Sequence, residues 1–376
     1  MRRVGGVWPR IVCWQNLLDA ALAAARGKRK RPDVARFMAN LETNVCAIQR
    51  ELESGNYQPG GYRTFWIRDP KPRQISAAPF RDRVVHHALT RALEPVFERR
   101  FTSCSFASRA GYGQHLALEK AKVACARYGY VLKADIRKYF PSIDHEVLKE
   151  LLARVIKCGP TLDLAARIID GSNAQEEASA YFAGDDLFTP YQRRRGLPIG
   201  NQTSQFFANV YLNPLDHFVV RELRPEVYLR YVDDFALFGD DKQELRAMRA
   251  RIADFLAGLR LRIHDGKSRA YRCSDGFPFL GWRLFPERSH LPRPKVVAVR
   301  RRLRRISALY HRGEIDFAGV QSRIQAWLGH ARHGNTLGLC EQLFQGFTLI
   351  AAERDRRCFA GRLLEQQSRE RPHVEP

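Results

Sequence analysis

The stretch "YLRYVDDFALFGDD", Tyr228 to Asp241, constrains this chain more than any other. Apolar and aromatic residues flank one short break, the pattern of two buried strands joined by a tight turn. The break holds two adjacent carboxylates, Asp233 and Asp234. Unpaired charge in a low-dielectric interior is costly, so an apolar hairpin keeps such a pair where something cationic meets it. A lone Asp-Asp at a hairpin is commonly turn chemistry, and Asp240 and Asp241 fit that description. Asp233 is set apart by its aromatic frame and by a second carboxylate-tipped strand upstream, "VLKADI", which ends near Asp135. If the two elements are neighbours in one antiparallel sheet, Asp135, Asp233 and Asp234 converge. Oxygen donors without soft ligands suit hard divalent cations such as Mg²⁺. Two such ions, roughly 3.5–4 Å apart, clamp the attacking and leaving oxygens of a phosphoryl transfer.

Charge narrows the partner. The 376 residues carry 63 Lys+Arg against 40 Asp+Glu, a formal net charge of +23. Such a surplus points to a polyanion, nucleic acid before an anionic membrane surface. No apolar run is long enough to span a bilayer, and the start "MRRVGGVWPRIVCWQ" lacks the apolar core of a signal peptide. The expectation is a cytoplasmic protein without a membrane partner. Its eight cysteines are scattered singly, with no C-x-x-C pair, which fits reduced thiols rather than thiolate metal ligation.

Periodicity predicts helices over residues 14–54, interrupted by the basic loop "GKRKRP". Two short strands around a Pro- and Arg-rich turn follow in "YRTFWIRDPKPRQISAAP". Further on come a helix in "FRDRVVHHALTRALEPVFERRF", the strand ending near Asp135, and a helix from about Asp144. "LPIGNQTSQFFANVYLNPLDHFVV" reads as a turn feeding a long apolar helix, and "KQELRAMRARIADFLAGLRLRIH" as helix then strand. "PFLGWRLFP" is a short hairpin, and everything from Pro294 onward is helical and basic. The class is α+β.

The blocks "TFWIRDPKPRQISAAPFRDRVVHHAL", "SFASRAGYGQHLALE", "LKADIRKYFPSI", "GLPIGNQTSQFFANVYLNPLDHF", "YVDDFALF", "LRLRIHDGKS" and "FLGW" occur in the order found in reverse transcriptases, and the chain resembles that family from about Tyr62 to Trp282. The resemblance implies a right-hand polymerase with an antiparallel palm sheet. Its parts would be an N-terminal helical extension (1–60), fingers and palm (61–285), and a basic helical thumb with a C-terminal tail (286–376). It implies RNA-templated addition of deoxynucleotides to a primer 3′-hydroxyl with two Mg²⁺, for which Mn²⁺ substitutes. Asp135 and Asp233 would be the main metal ligands, with Asp234 less direct and the Ile136 carbonyl completing the shell. Phe140 matches the steric gate against a ribose 2′-hydroxyl; the alternative is an ordinary core aromatic. Arg68 and Arg73 match the residues that bind the incoming triphosphate, for which the arginine fork is suited. Lys71 is a weaker candidate in the same turn. Lys267, in "HDGKS", matches the lysine that protonates the leaving pyrophosphate, as against a plain surface lysine.

The block "LPIGNQTSQ" narrows the group. Group II intron reverse transcriptases carry Gln-Gly followed by Ser-Pro here, whereas this chain has Ile199-Gly200 and Ser204-Gln205. That combination, with "YRTFWI" and "WLGHARHGNT", is similar to reverse transcriptases of diversity-generating retroelements. Those enzymes copy a template RNA with frequent errors opposite adenines, and the cDNA rewrites a variable gene. Ile199 replaces a glutamine that hydrogen-bonds near the nascent pair. Selection built from a few hydrogen bonds is worth only a few kcal/mol, so losing one lowers fidelity; the alternative is that Ile199 merely packs. Other bacterial reverse transcriptases (retron, CRISPR-associated or phage-defence type) and a non-catalytic, maturase-like RNA-binding protein are the rivals. No RNase H or HNH endonuclease pattern is expected after the thumb.

In "KVVAVRRRLRRISALYHR", Val299, Leu303, Ile306 and Tyr310 recur at helical spacing beside five arginines in six positions. Arg300, Arg301, Arg304 and Arg305 are candidates for template–primer phosphates, since an RNA–DNA hybrid is read largely through its backbone. The family resemblance adds a small basic accessory variability protein that forms an oligomeric barrel. Trp327, His330 and His333 read as thumb core and surface more readily than as base-stacking groups.

Overall fold

The structure is a computed structural model, and it describes residues 3–67, 72–172 and 180–350. Its contacts divide the chain into two compact units, Met1–Cys273 and Ser274–Pro376.

The first unit opens with helices α1 (Trp8–Val12), α2 (Trp14–Ala25), α3 (Pro32–Ala39) and α4 (Leu41–Glu53), then the hairpin β1 (Arg63–Ile67) and β2 (Arg73–Ala77). It continues through α5 (Phe80–Glu98), α6 (Gln114–Arg127), β3 (Tyr130–Asp135), α7 (Tyr139–Ser142), α8 (His145–Ala153), α9 (Gly159–Asp170) and α10 (Thr189–Gln192). Next come α11 (Gln202–Phe218), a π-turn at Val219–Leu223, β4 (Val227–Tyr231), β5 (Asp234–Gly239), α12 (Lys242–Gly258) and β6 (Arg269–Arg272). Two sheets result: the β1–β2 hairpin and a four-stranded antiparallel sheet in the order β4-β5-β3-β6.

The α+β mix of the sequence is therefore present, with the expected strands in "YRTFWI", "RQISA", "VLKAD", the "YVDD" hairpin and "PFLGWRL", whereas β6 was not expected. The small buried side chains Ala20, Ala21 and Ala24 on α2 let it lie along α5, whose Val84, Val85, Ala88 and Leu89 are buried. Asp144 caps α8 through its side chain, accepting from the amides of Glu146 and Val147 at 2.9 and 3.1 Å. One expectation fails. "LRLRIH" does not form a strand: Ile263 makes a single bridge to Ile136, and the fourth strand, β6, starts at Arg269. The chain opposite Ile263 has already left β3 at Asp135, so no ladder is available until the 265–267 turn redirects the backbone beside Lys133.

One core unites α1, α2, α4, α5, α8, α11 and α12 with one face of the sheet. Leu132 and Ala134 of β3, Phe235 and Leu237 of β5 and Tyr228 of β4 belong to it. Strand alternation sends Lys133, Asp135 and Asp234 to the other face.

The second unit holds a three-stranded antiparallel sheet of β7 (Phe277–Phe279), β8 (Trp282–Leu284) and β9 (Ser289–His290), then helices α13 (Arg293–His311), α14 (Phe317–Ala331) and α15 (Leu337–Phe344). The β7–β8 turn places Leu280 and Gly281 at φ 46° and 83°, the two left-handed residues of a hairpin turn that matches strand twist. No helix among the described residues is long and apolar enough to cross a membrane.

Candidate active site

The antiparallel register brings the sequence-expected carboxylates together. Asp135, the last residue of β3, pairs with Asp234, the first of β5, and Asp234 in turn pairs with Tyr231 at the end of β4. Asp233 lies in the two-residue turn between β4 and β5, and its carbonyl accepts from the amide of Ile136 at 3.2 Å. A strand tip and a hairpin turn thus meet at one corner of the sheet.

Like charges facing each other across a ladder repel, and two lysines answer them. Lys267 Nζ donates to Asp135 Oδ1 at 3.2 Å and Oδ2 at 3.4 Å. Lys133 Nζ sits 3.2 Å from Asp234 Oδ1 and 3.9 Å from Asp135 Oδ2. Lys133 was not among the expected site residues, although its place two before Asp135 in "VLKADI" puts both on one strand face. Asp135 is held at its backbone too, its amide donating to Ser268 Oγ at 3.2 Å and its carbonyl accepting from His264 at 2.7 Å.

The two ammoniums do not neutralise the corner. Burial pushes the Asp234 carboxyl up to about 6 even with Lys133 beside it. Asp233 is raised by burial first and then by the charge of Asp135. Among the described residues no three His, Cys, Asp or Glu side chains gather in a metal-holding cluster. Lys133 and Lys267, which pair with Asp135, also pull Asp233 down, but by less than burial and the charge of Asp135 push it up. An all-oxygen pair with that repulsion fits a hard divalent ion, so Asp135 and Asp233 are the side chains that could hold one, with Asp234 beside them.

Behind the turn, on the helix-packed face, lies a group the sequence reading missed. Arg230 of β4 is fully buried and meets Asp216 of α11 through Nε–Oδ1 and Nη2–Oδ2 contacts, both 2.6 Å. Tyr228 donates its hydroxyl to Asp216 Oδ1 at 2.8 Å, and Ser105 Oγ accepts from Arg230 Nη2 at 2.9 Å. The remaining nitrogen, Nη1, donates to Asn209 Oδ1 at 3.3 Å and to the carbonyl of Val232 at 2.9 Å. The backbone of Arg230 is fastened as well, donating to Cys104 O at 2.8 Å and accepting from the Phe106 amide at 2.9 Å.

The other expected residues lie on neighbouring elements of the same unit. Phe140 is half-buried in α7, edge-on to Tyr139 at 5.6 Å between ring centres, and its carbonyl accepts from Leu197 at 2.9 Å. The Ile199 carbonyl accepts from the Ser76 amide of β2 at 3.2 Å, and the Asn201 side chain donates to Ser76 O at 3.1 Å and accepts from the Ala78 amide at 3.3 Å. Gly200, at φ 118°, is needed there: a Cβ would lie 3.1 Å from Ile75 Cγ2. Gln205 is exposed on the first turn of α11 and accepts from Ser108 Oγ at 3.3 Å. Arg73 is exposed at the start of β2, paired across the hairpin with Ile67. Arg68 and Lys71 lie outside the described residues.

In the second unit α13 buries Leu303 and Ile306 and half-buries Val299 and Tyr310, the apolar stripe read from the sequence. Its arginines divide between two sides. Arg300 and Arg304 line a cleft toward Gln342 and Leu343 of α15, whereas Arg302 and Arg305 line another with Arg323 of α14. Trp327 packs against Phe344 at 6.0 Å and His330 against Trp282 at 5.3 Å.

Carboxylates thus tip neighbouring antiparallel strands, with lysines among them. Residues 68–284 match the reverse transcriptase (RNA-dependent DNA polymerase) family, and the chain belongs to that family as an RNA-directed DNA polymerase. It is 27% identical to the protein YkfC of Escherichia coli (strain K12) over 302 residues, 70% of this chain and 76% of that protein. It is 26% identical to the group II intron-encoded protein LtrA of Lactococcus lactis subsp. cremoris over 213 residues, 56% of this chain and 33% of LtrA. A shorter match, 35% over 85 residues, covers 23% of this chain and 12% of the mitochondrial nuclear intron maturase 1 of Arabidopsis thaliana. The chain thus spans a third or less of these two intron-related proteins.

Proposed function

We propose that this polymerase makes adenine-mutagenic cDNA from a template-repeat RNA, as the reverse transcriptase of a diversity-generating retroelement. The reading of its chemistry rests on the pairing of Asp135 with Asp234 and the placement of Asp233 in the adjoining turn. A divalent cation held by Asp135 and Asp233, Mg²⁺ in our reading and two ions in number, would supply charge neutralisation to the attacking 3′-hydroxyl and the leaving pyrophosphate. Lys267 carries a proton at Nζ beside Asp135 and delivers it to the pyrophosphate. Arg73, with Arg68, grips the triphosphate of the incoming nucleotide, and Phe140 excludes a ribose 2′-hydroxyl. Residues 61–285 act as fingers and palm, and the α13 arginines of the thumb follow the phosphates of the template–primer hybrid.

The retroelement reading is carried by Ile199-Gly200 and Ser204-Gln205, where group II intron enzymes have Gln-Gly and Ser-Pro. The loop bearing Ile199 is hydrogen-bonded to β2, so the backbone at this position is anchored to the hairpin we assign to nucleotide binding. In the cytoplasm the enzyme would work with a basic, barrel-forming accessory protein. Similarity to LtrA and to an intron maturase favours a second reading, a faithful intron-type reverse transcriptase.

Primer extension on an adenine-containing RNA with Mg²⁺, followed by sequencing of the cDNA, separates the two. Errors concentrated opposite template adenines are expected. A faithful product assigns the chain to the intron-type group, and absence of cDNA even with native RNA and accessory protein overturns both.

A further inference from the structure

We propose that Arg230 is a positioning residue for Asp233, acting from the opposite side of the sheet by holding Val232 in a left-handed conformation. Val232 has φ 58°, a region that a β-branched residue rarely occupies. Something must over-determine that conformation, and two hydrogen bonds bracket it. The carbonyl of Val232 accepts from Arg230 Nη1 at 2.9 Å, and the carbonyl of Asp233 accepts from Ile136 N at 3.2 Å. The second bond ties the turn to the residue after Asp135; the first ties it to a guanidinium that cannot move.

Arg230 is immobile because every other nitrogen it has is occupied. Nε and Nη2 form the fork on Asp216, and Nη2 also reaches Ser105. Asp216 projects from α11, the same helix whose first turn follows the Ile199–Gly200 loop. The strain at Val232 and the buried ion pair therefore explain one another. A charged pair this deep is poor evidence of stabilisation in itself, since apolar replacements often serve as well. Here one guanidinium nitrogen is left over from the pair, and it is aimed at the peptide preceding a catalytic carboxylate. The arrangement fixes where the Asp233 side chain starts relative to Asp135, and an error of about 1 Å at such a group costs roughly 10²-fold in rate.

The inference rests on the reading of Asp233 as a polymerase carboxylate, and the test separates the two. Arg230→Lys keeps a cation against Asp216 but has no fork with which to reach both Asp216 and Val232. In the full chain with its thermal unfolding and RNA affinity unchanged, it is expected to lower kcat by roughly 10²-fold with little change in KM for the nucleotide. It should also weaken Mn²⁺ binding, measured by water proton relaxation without substrates. Adding Val232→Gly should return most of the lost kcat and Mn²⁺ affinity, because glycine adopts a positive φ unaided. Should Arg230→Lys unfold the chain, Val232→Pro bars the left-handed conformation while leaving Arg230 and Asp216 in place, and the same loss is expected. Full kcat in a folded Arg230→Lys, no rescue by Val232→Gly, or full kcat in Val232→Pro overturns the proposal. Failure of the underlying reading would show separately, as retained synthesis in Asp233→Asn.

Discussion

Arg230 and Asp216 are joined by two hydrogen bonds of 2.6 Å in a position where neither side chain reaches solvent. Losing one member leaves the other as an uncompensated buried charge, which typically costs about 3–5 kcal/mol. Asp216→Ala is therefore expected to lower unfolding stability by that amount in denaturant titrations. The paired replacement Asp216→Leu with Arg230→Met removes both charges and should recover much of the loss, so its deficit should be well below that of Asp216→Ala.

Asp233 needs no partner to keep the fold, since its side chain lies in a turn held by main-chain bonds and by Arg230. Asp233→Asn is nearly isosteric and removes only the charge. It should abolish nucleotide incorporation, by about 10³-fold or more, while template RNA binds with unchanged affinity. Synthesis near the wild-type rate would remove Asp233 from the chemistry.

What the sequence disclosed about this corner depended on period. Strands alternate every two residues, so "VLKADI" and "YVDDFALF" already placed carboxylates at strand ends, and the register Asp135↔Asp234 follows from pairing them. The same alternation would have exposed Lys133, had it been applied to the lysine as well as to Asp135. Asp216 was harder to find. Within "VYLNPLDHF" it reads as one polar residue on an apolar helix, and its partner lies on a strand beyond the π-turn at Val219–Leu223. The arginines of α13 show the opposite limit: a run in sequence becomes two sides of a helix, because successive residues turn by 100°.

Ile199 stands in a loop whose backbone is committed to β2 through Ser76 and Asn201. A substitution there changes the side chain while the main-chain docking persists. If Ile199 lies by the nascent pair as proposed, Ile199→Gln supplies a donor and an acceptor there, and one hydrogen bond is worth a few-fold to tens-fold in discrimination. Misincorporation opposite template adenine should fall by about that factor in sequenced cDNA. An unchanged error spectrum would mean that Ile199 only packs.

Arg300 and Arg304 share one side of α13, away from the side that carries Arg302 and Arg305. If the first side meets hybrid phosphates, Arg300→Ala with Arg304→Ala should weaken binding of an RNA–DNA hybrid regardless of sequence. The slope of log affinity against log salt should shrink by about 1–2, since each phosphate contact contributes roughly 0.9. Arg305→Ala serves as the comparison from the opposite side, and an equal effect there would mean that binding does not distinguish the two.

His86 lies in α5 with both ring nitrogens buried and without a hydrogen-bond partner. Burial, then the neighbouring charges of His87 and Arg83, push its pKa down to about 3. In the unfolded chain the ring titrates near the usual value of about 6.5. Above that pH it is neutral in both states and contributes no pH dependence. As pH falls from about 6.5 toward 3, the unfolded chain takes up a proton that the folded chain refuses, so stability declines by up to about 1.4 kcal/mol per pH unit. His86→Phe removes the titrating group and should flatten this limb. Between pH 6.5 and pH 4.5, urea unfolding should show the variant gaining on wild type by about 2 kcal/mol. Parallel pH profiles would mean that His86 is protonated in the folded protein and that its pocket admits a compensating group.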